Sequence, residues 1–455
     1  MSDLKYQPGF GSHFSSESLP GALPLGQNSP QVCPLGLYAE QLSGTAFTAP
    51  RVKNQRSWLY RIRPTVGHTA QVPYAHSGLT SADKMTVTPD QLRWAPMQSP
   101  WHTKLAGGEG VDFVDGLATM SGVGDACMHE GMSIHMYFAN RSMGNRRAFQ
   151  NSDGDMLIVP QEGRLLVTTE FGKMDVGPQE ICVVQRGIKF NVSLPESYAA
   201  DGITPLTGEE AVARGYVLEI FKGHFELPNL GPIGANGLAN PRDFLHPVAS
   251  YEDVDCPERD YQVINKFCGE LFSSTTDHSP FDVVAWHGNY TPYKYDLRNF
   301  NTMNSVSFDH PDPSIYTVLT CPSSEEGTAV ADFVIFPPRF MCMDKTFRPP
   351  YYHRNIMTEF MGMIYGKYDA KEGFAAGGAS LHSCMSAHGA DAATFTKASA
   401  AELNPVYFDG GLAFMFETCY TLKVSPWALS SECLETTYVD CWKGLPKLFK
   451  GPSNA

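Results

Sequence analysis

Met156-Leu-Ile-Val159, Leu165-Leu-Val-Thr-Thr169, Ile181-Cys-Val-Val184 and Lys189-Phe-Asn-Val-Ser193 follow one another between Asp153 and Ser193. Pro160 to Gly163, Gly172, Gly177-Pro178 and Arg186-Gly187 separate them. Runs of four or five apolar and β-branched residues, cut by turn residues and with no helical interval, predict antiparallel strands of a sandwich or jelly roll. Outward from this block the same signal recurs in Ser57 to Arg63 and Ser133 to Phe138. A second block starts near Pro280, with Val283 to Trp286, Tyr316 to Leu319, Val330 to Phe336 and Leu412 to Phe416. Helices are expected only at Gly208 to Arg214 and Ala398 to Leu403. Residues 1–36 read as an extended arm, and Leu227 to Pro241 as a surface crossing. The expectation is a mainly β, antiparallel chain of two β-rich domains, residues 1–275 and 276–455, with few short helices.

Bulk composition narrows the function. Of 455 residues, 42% are hydrophobic and 18% charged, which is globular. A formal charge of −14 argues against nucleic acid or an anionic membrane as partner, and means that an anionic substrate needs locally placed cations. No run of 18 apolar residues exists and the amino terminus has no signal-like segment, so a cytoplasmic location is expected. The 11 cysteines contain no Cys-x-x-Cys pair, which speaks against a disulfide framework or a zinc knuckle.

The first block has the strand rhythm of a cupin barrel. It carries Thr169-Glu170-Phe171 where a cupin offers a metal-binding His-x-His, so a metal is expected in the second block. There, Pro349 and Pro350 hold the approach to His353 extended. His353 and Glu359 lie on different faces of a helix, and ~20 Å apart on a straight strand, so they share one ion only if the chain bends at Arg354-Asn355. The Gly- and Ala-rich segment Glu372 to Ser380 can return His388 to the same place. Two imidazoles and one carboxylate are the facial triad of non-haem Fe(II) oxygenases, with positions left open for substrate and O2. The alternatives stay open here: Glu359 paired with Arg348 or Arg354, and hydrogen-bonded structural histidines, the reading given to His135, His224 and His310. Trp286-His-Gly-Asn-Tyr290 suits a general acid/base in an apolar pocket, or an aromatic-rich turn. Gly231 to Gly237 lacks the context of a nucleotide loop.

Gly26 to Pro34, Leu37 to Gly44, Asn151 to Asp155, Gly231 to Phe244, Trp286 to Tyr295 and Lys345 to Asn355 together resemble the homogentisate 1,2-dioxygenase family, with the likeness running from about residue 5 to residue 445. The resemblance implies a β-rich amino-terminal domain and a cupin-like catalytic domain. It also implies one Fe(II) per subunit, homogentisate and O2 as substrates, maleylacetoacetate as product in tyrosine and phenylalanine breakdown, and a homohexamer built as a dimer of trimers. Carried over residue by residue, it makes His353, Glu359 and His388 the iron ligands and His287 the proton acceptor. Tyr368, His382 and His388 then border the substrate. The family pattern is broken at Lys371 to Ala379, one residue shorter here, and at Gly389-Ala-Asp391 in place of Gly-Pro-Asp. Arg348 and Lys294 are candidates to meet the acetate group. Two rivals are a dioxygenase for another dihydroxyphenyl acid and a non-catalytic binding cupin.

Overall fold

The computed structural model describes residues 4–25, 32–75, 78–99, 101, 110–195, 212–229, 238–303, 316–342, 351–402 and 404–451. Within them the chain is a stack of antiparallel sheets with two short α-helices, Ala392–Ala400 and Pro426–Ser430. A nine-stranded sheet lies in the middle, and Asp155–Glu162 is one of its strands. Met156 and Ile158 point to one face and Leu157 and Val159 to the other, as a period of two requires. The first pair packs on Leu165, Val167, Met174 and Phe190 of a seven-stranded sheet. The second pair packs on the core that holds Phe360, Phe414 and Phe416 of a six-stranded sheet. A strand buried on both faces must be continuously apolar, which is why Met156-Leu-Ile-Val159 shows no polar alternation. Each such buried side chain contributes about 1.5–3 kcal/mol.

The strands Leu165–Thr169 and Lys189–Ser193 form where the sequence placed them. Gly172 to Val176, whose Gly172 was read as a turn, is instead a full strand, paired with Leu165–Thr169 along its length. Gly172 adopts φ +132, and a Cβ there would lie 2.1 Å from the Val248 carbonyl oxygen. Pro160, also read as a turn, sits inside its strand, where the register slips between Pro160 and Glu162. Ala213 opens a strand, Ala213–Ile220, rather than ending a helix; residues 208–211 lie outside the described segments. The helix expected at Ala398 to Leu403 instead runs Ala392–Ala400, because the Asp391 side chain accepts from the Thr394 N–H at 2.7 Å and caps its start. The amino-terminal arm docks on its own chain: Tyr6–Pro8 pairs with Phe244–Pro247, and Phe14–Glu17 with Val283–Gly288. Strands Val283–Gly288 and Tyr293–Asp296 both hydrogen-bond into sheets of the amino-terminal half.

His135 and His224 are hydrogen-bonded structural residues. His224 pairs with Asp155 at 2.7 Å, and His135 meets Glu219 at 3.0 Å in a buried network that continues to Lys266 and Asp153. Burial pushes the Glu219 carboxyl up, but Lys266 and then His135 outweigh it and hold the group at about 2. Burial lowers His246 to about 4 from an ordinary 6.5. An unfolded imidazole takes its proton near 6.5 and the folded one only near 4, so stability falls as pH drops through that window. The Glu219 contribution is present above the ordinary carboxylate range and is lost as pH falls toward 2. The melting temperature is therefore expected to decline in two stages on acidification. His135, His287 and His382 are lowered by burial in the same direction, so His246→Gln should lessen the upper stage without abolishing it; an unchanged slope between pH 6.5 and 4 in that variant rejects the assignment.

Candidate metal centre

Glu359 lies on strand Thr358–Gly366 of the six-stranded sheet. Its neighbour Phe360 enters the core shared with the nine-stranded sheet, so Glu359 must point to the opposite, outer face. Across the ladder Glu359 is level with His382 on one side and Glu417 on the other. His353 reaches this face because the chain bends after it, where Asn355 Oδ1 accepts from the Met357 N–H at 3.1 Å. His388 is tied to His353 by two main-chain hydrogen bonds, of 3.0 and 3.1 Å, one in each direction. A further rung joins Met385 N–H to the Asn355 carbonyl at 2.7 Å.

The outcome is one cluster. Ligand atoms of His353, Glu359 and His388 all lie within 4.8 Å of one another, the one such group of metal-binding type among the described residues. Glu359 Oε2 is 3.0 Å from His388 Nε2, and Glu359 Oε1 is 3.7 Å from His353 Nε2. The Ser386 carbonyl accepts from His388 Nδ1–H at 2.9 Å, which turns Nε2 toward the cluster, where a bound ion would take the place of its proton. Burial raises the Glu359 carboxyl, but hydrogen bonds from His353 and His388 prevail and hold it far below the usual carboxylate range. Asn355 Nδ2 donates to both Glu359 (3.1 Å) and Glu417 (2.8 Å), bridging two carboxyl groups. Burial pushes Glu417 up to about 7, so only one of that pair carries full charge at neutral pH. An N,O,N set with a fixed tautomer and an ionised carboxylate fits a divalent first-row ion of the Fe(II) type.

His382 does not join the donor set. Its ring stacks on His388 at 4.2 Å and 9°, and its Nε2 is turned to the Tyr438 hydroxyl (2.9 Å) and Lys371 Nζ (3.3 Å). It braces a donor. Tyr368 packs between Phe336 and Phe374 in the apolar wall behind the cluster, close enough for the Glu359 charge to act on it. The loop Lys371 to Ala379 is packed inward: Phe374 and Ala376 join that wall. Sequence reasoning missed Asn355 as a bridge, and missed Tyr438 and Trp442, whose segment covers the site through His382 and the Gly389 carbonyl (3.4 Å). No spacing rule flags contacts made some 50 residues away along the chain.

His287 lies elsewhere. Its strand belongs to a four-stranded sheet and sends Trp286 into the core shared by the nine- and seven-stranded sheets, whereas Phe360, beside Glu359, enters the core on the other face of the nine-stranded sheet. Its Nε2 is 3.2 Å from the Tyr60 hydroxyl. Burial lowers the imidazole below its ordinary value, helped by His13 and Arg56, so it is neutral at pH 7. A cleft of about 450 Å³, lined by His13, Phe47, Ala49, Arg51, Asn54 and Arg56, opens beside it.

The amino-terminal family model of homogentisate 1,2-dioxygenase matches residues 5–297 and the carboxyl-terminal model residues 298–449. The chain belongs to the homogentisate 1,2-dioxygenase family. The human homogentisate 1,2-dioxygenase is 55% identical to it over 99% of this chain and 98% of that protein. The Drosophila melanogaster homogentisate 1,2-dioxygenase is 54% identical over the full length of both. Among solved structures, a cupin 2 conserved barrel domain protein from Leptotrichia buccalis aligns with a TM-score of 0.28 and 6% identity, over 68% of this chain and 89% of its own.

Proposed function

We propose that this chain binds one Fe(II) per subunit through His353, Glu359 and His388 and uses O2 to open the ring of homogentisate, giving maleylacetoacetate in tyrosine and phenylalanine breakdown. The observation that carries the reading is the convergence of those three donors within 4.8 Å in a chain of this family. The bound ion supplies the redox chemistry that lets O2 react with an aromatic ring. The rest falls to the protein. Ser386 and His382 fix the plane and tautomer of His388, while Asn355 aims Glu359. Tyr368, Phe336 and Phe374 form a dry wall that suits a flat aromatic ring.

His287 takes up the proton of the substrate hydroxyl on this reading. The Tyr60 hydroxyl, 3.2 Å from Nε2, holds the ring in place for that role. Because Trp286, beside His287, and Phe360, beside Glu359, belong to different cores, we assign His287 to the triad of a neighbouring subunit in a homohexamer of two trimers. We place the enzyme in the cytoplasm; no helix among the described residues is long and apolar enough to cross a membrane. The domain boundary belongs after Asp296 rather than near residue 275, given the pairing of Val283–Gly288 and Tyr293–Asp296 with amino-terminal strands.

The deciding experiment is O2 uptake by anaerobically Fe(II)-loaded protein on adding homogentisate. One O2 consumed per substrate, with the ring-opened product appearing, is the expected result. No uptake by protein that holds one iron rejects homogentisate as substrate and passes the site to another ring-substituted acid.

A further inference from the structure

Five lysine and arginine side chains are buried among the described residues: Arg61, Lys266, Lys294, Arg339 and Lys371. Four of them are neutralised by a carboxylate. Arg61 meets Asp282 and Glu170, Lys266 meets Asp153 and Glu219, Lys294 meets Glu180 at 2.8 Å, and Arg339 meets Asp369 at 2.9 Å. Lys371 is 7% exposed and makes no direct ion pair; the carboxylates of Glu359 and Asp391 act on it only from a distance. Its Nζ rests 3.3 Å from His382 Nε2 and over the rings of Tyr438 (5.7 Å) and Trp442 (5.6 Å). Cys441 lies near, but burial raises that thiol, which stays neutral and supplies no counter-charge.

A buried ammonium without a counter-ion is costly, and ring faces offset only part of that cost. The position of Lys371 gives the cost a use. It lies three residues after Tyr368, beside the histidine stacked on His388, and its charge acts on His353 and Glu359. Two other cations around the site are taken or outside: Arg93 is bound to Glu435 at 2.7 Å, and Arg354 is exposed. Lys294, a candidate from the sequence, is spent on Glu180 in another sheet, and Arg348 lies outside the described residues.

We propose that Lys371 is the counter-ion for the carboxylate of the substrate, completing from the ligand the ion pair that the protein leaves open. This rests on the reading of the triad as the site that binds an aryl acetate. The carboxylate displaces neither Tyr438 nor His382; it supplies the anion that the other four buried cations find within the chain.

The test compares the parent chain with Lys371→Met and Lys371→Gln, using homogentisate and its uncharged amide, 2,5-dihydroxyphenylacetamide, in O2 uptake by iron-loaded protein. Titration calorimetry under nitrogen with phenylacetate and phenylacetamide runs alongside. Both substitutions should raise KM for the acid at least tenfold more than for the amide, with kcat for the acid changed less than KM. They should likewise abolish the preference for phenylacetate. Lys371→Met should also melt about 2–4 °C higher than the parent when no ligand is present, since an unpaired buried charge has been removed. Equal losses for acid and amide, or none, overturn the assignment and leave Lys371 as a brace for His382. If the parent chain consumes no O2 with homogentisate, the proposed reaction fails. The phenylacetate titration then decides Lys371 independently.

Discussion

Glu359→Gln protein, reconstituted anaerobically, should hold Fe(II) at least about a hundredfold more weakly than the parent chain, because loss of groups that merely orient ligands already costs 10–100-fold. Gln keeps the volume and the hydrogen bond from Asn355, so the strand and the two imidazoles stay where they are. What disappears is the ionised oxygen that faces both His353 and His388. Glu417→Gln is the matched control. It occupies the neighbouring strand at the same level, shares the Asn355 amide, and is held near neutrality by burial, so its replacement should leave iron content unchanged. Iron analysis after gel filtration reads both variants. Retention of stoichiometric iron by Glu359→Gln, or its loss from Glu417→Gln, shows that the wrong carboxylate has been assigned.

The second large effect concerns His287. His287→Ala should keep its iron and lose turnover, and Glu359→Ala should lose both. Co-expressed, the two inactive chains should assemble into mixed oligomers in which about one quarter of the sites regain activity. Random assembly puts an intact Glu359 opposite a neighbour's intact His287 that often in a symmetric ring. Were His287 to act on its own chain's triad, no mixed site could be complete, since every subunit lacks one of the two residues. Zero recovered activity in oligomers shown by mass spectrometry to be mixed therefore rejects the trans arrangement. The layer order makes the trans result the expected one: Trp286 is committed to one core and Phe360 to another, with a whole sheet between.

Legibility in the sequence followed physical locality. Leu165–Thr169 and Lys189–Ser193 were readable because both their apolar runs and their flanking turns lie within a few residues. Gly172 to Val176 was not, since its glycine reads as punctuation and its alternation of Met174 and Val176 with Lys173 and Asp175 is short. The helix start at Ala392 is not legible because its cap, Asp391, precedes a run of Ala and Thr with no apolar period to mark it. In the site, the bend at Asn355 was foreseeable from the need to bring His353 and Glu359 together. The bridge from Asn355 to Glu417 and the cover from Tyr438 and Trp442 were not, because they depend on strand order and on a distant segment folding back. Lys371 was visible only as one lysine in a glycine-rich loop; its isolation emerges once every other buried cation is seen with its acid.

The reciprocal main-chain bonds between His353 and His388 bear on how the protein lives with a scarce nutrient. Two donors 35 residues apart are joined by a reciprocal pair of peptide hydrogen bonds, and the third stands on a strand paired on both sides. Small metal-folded domains collapse when their ion is withdrawn. Here backbone hydrogen bonds join the segments that carry the donors, so a chelator should strip bound iron while melting and circular dichroism stay close to those of the loaded protein. During iron shortage a cell would then keep a standing reserve of folded, idle catalyst, to be switched back on by supply alone and with no new synthesis.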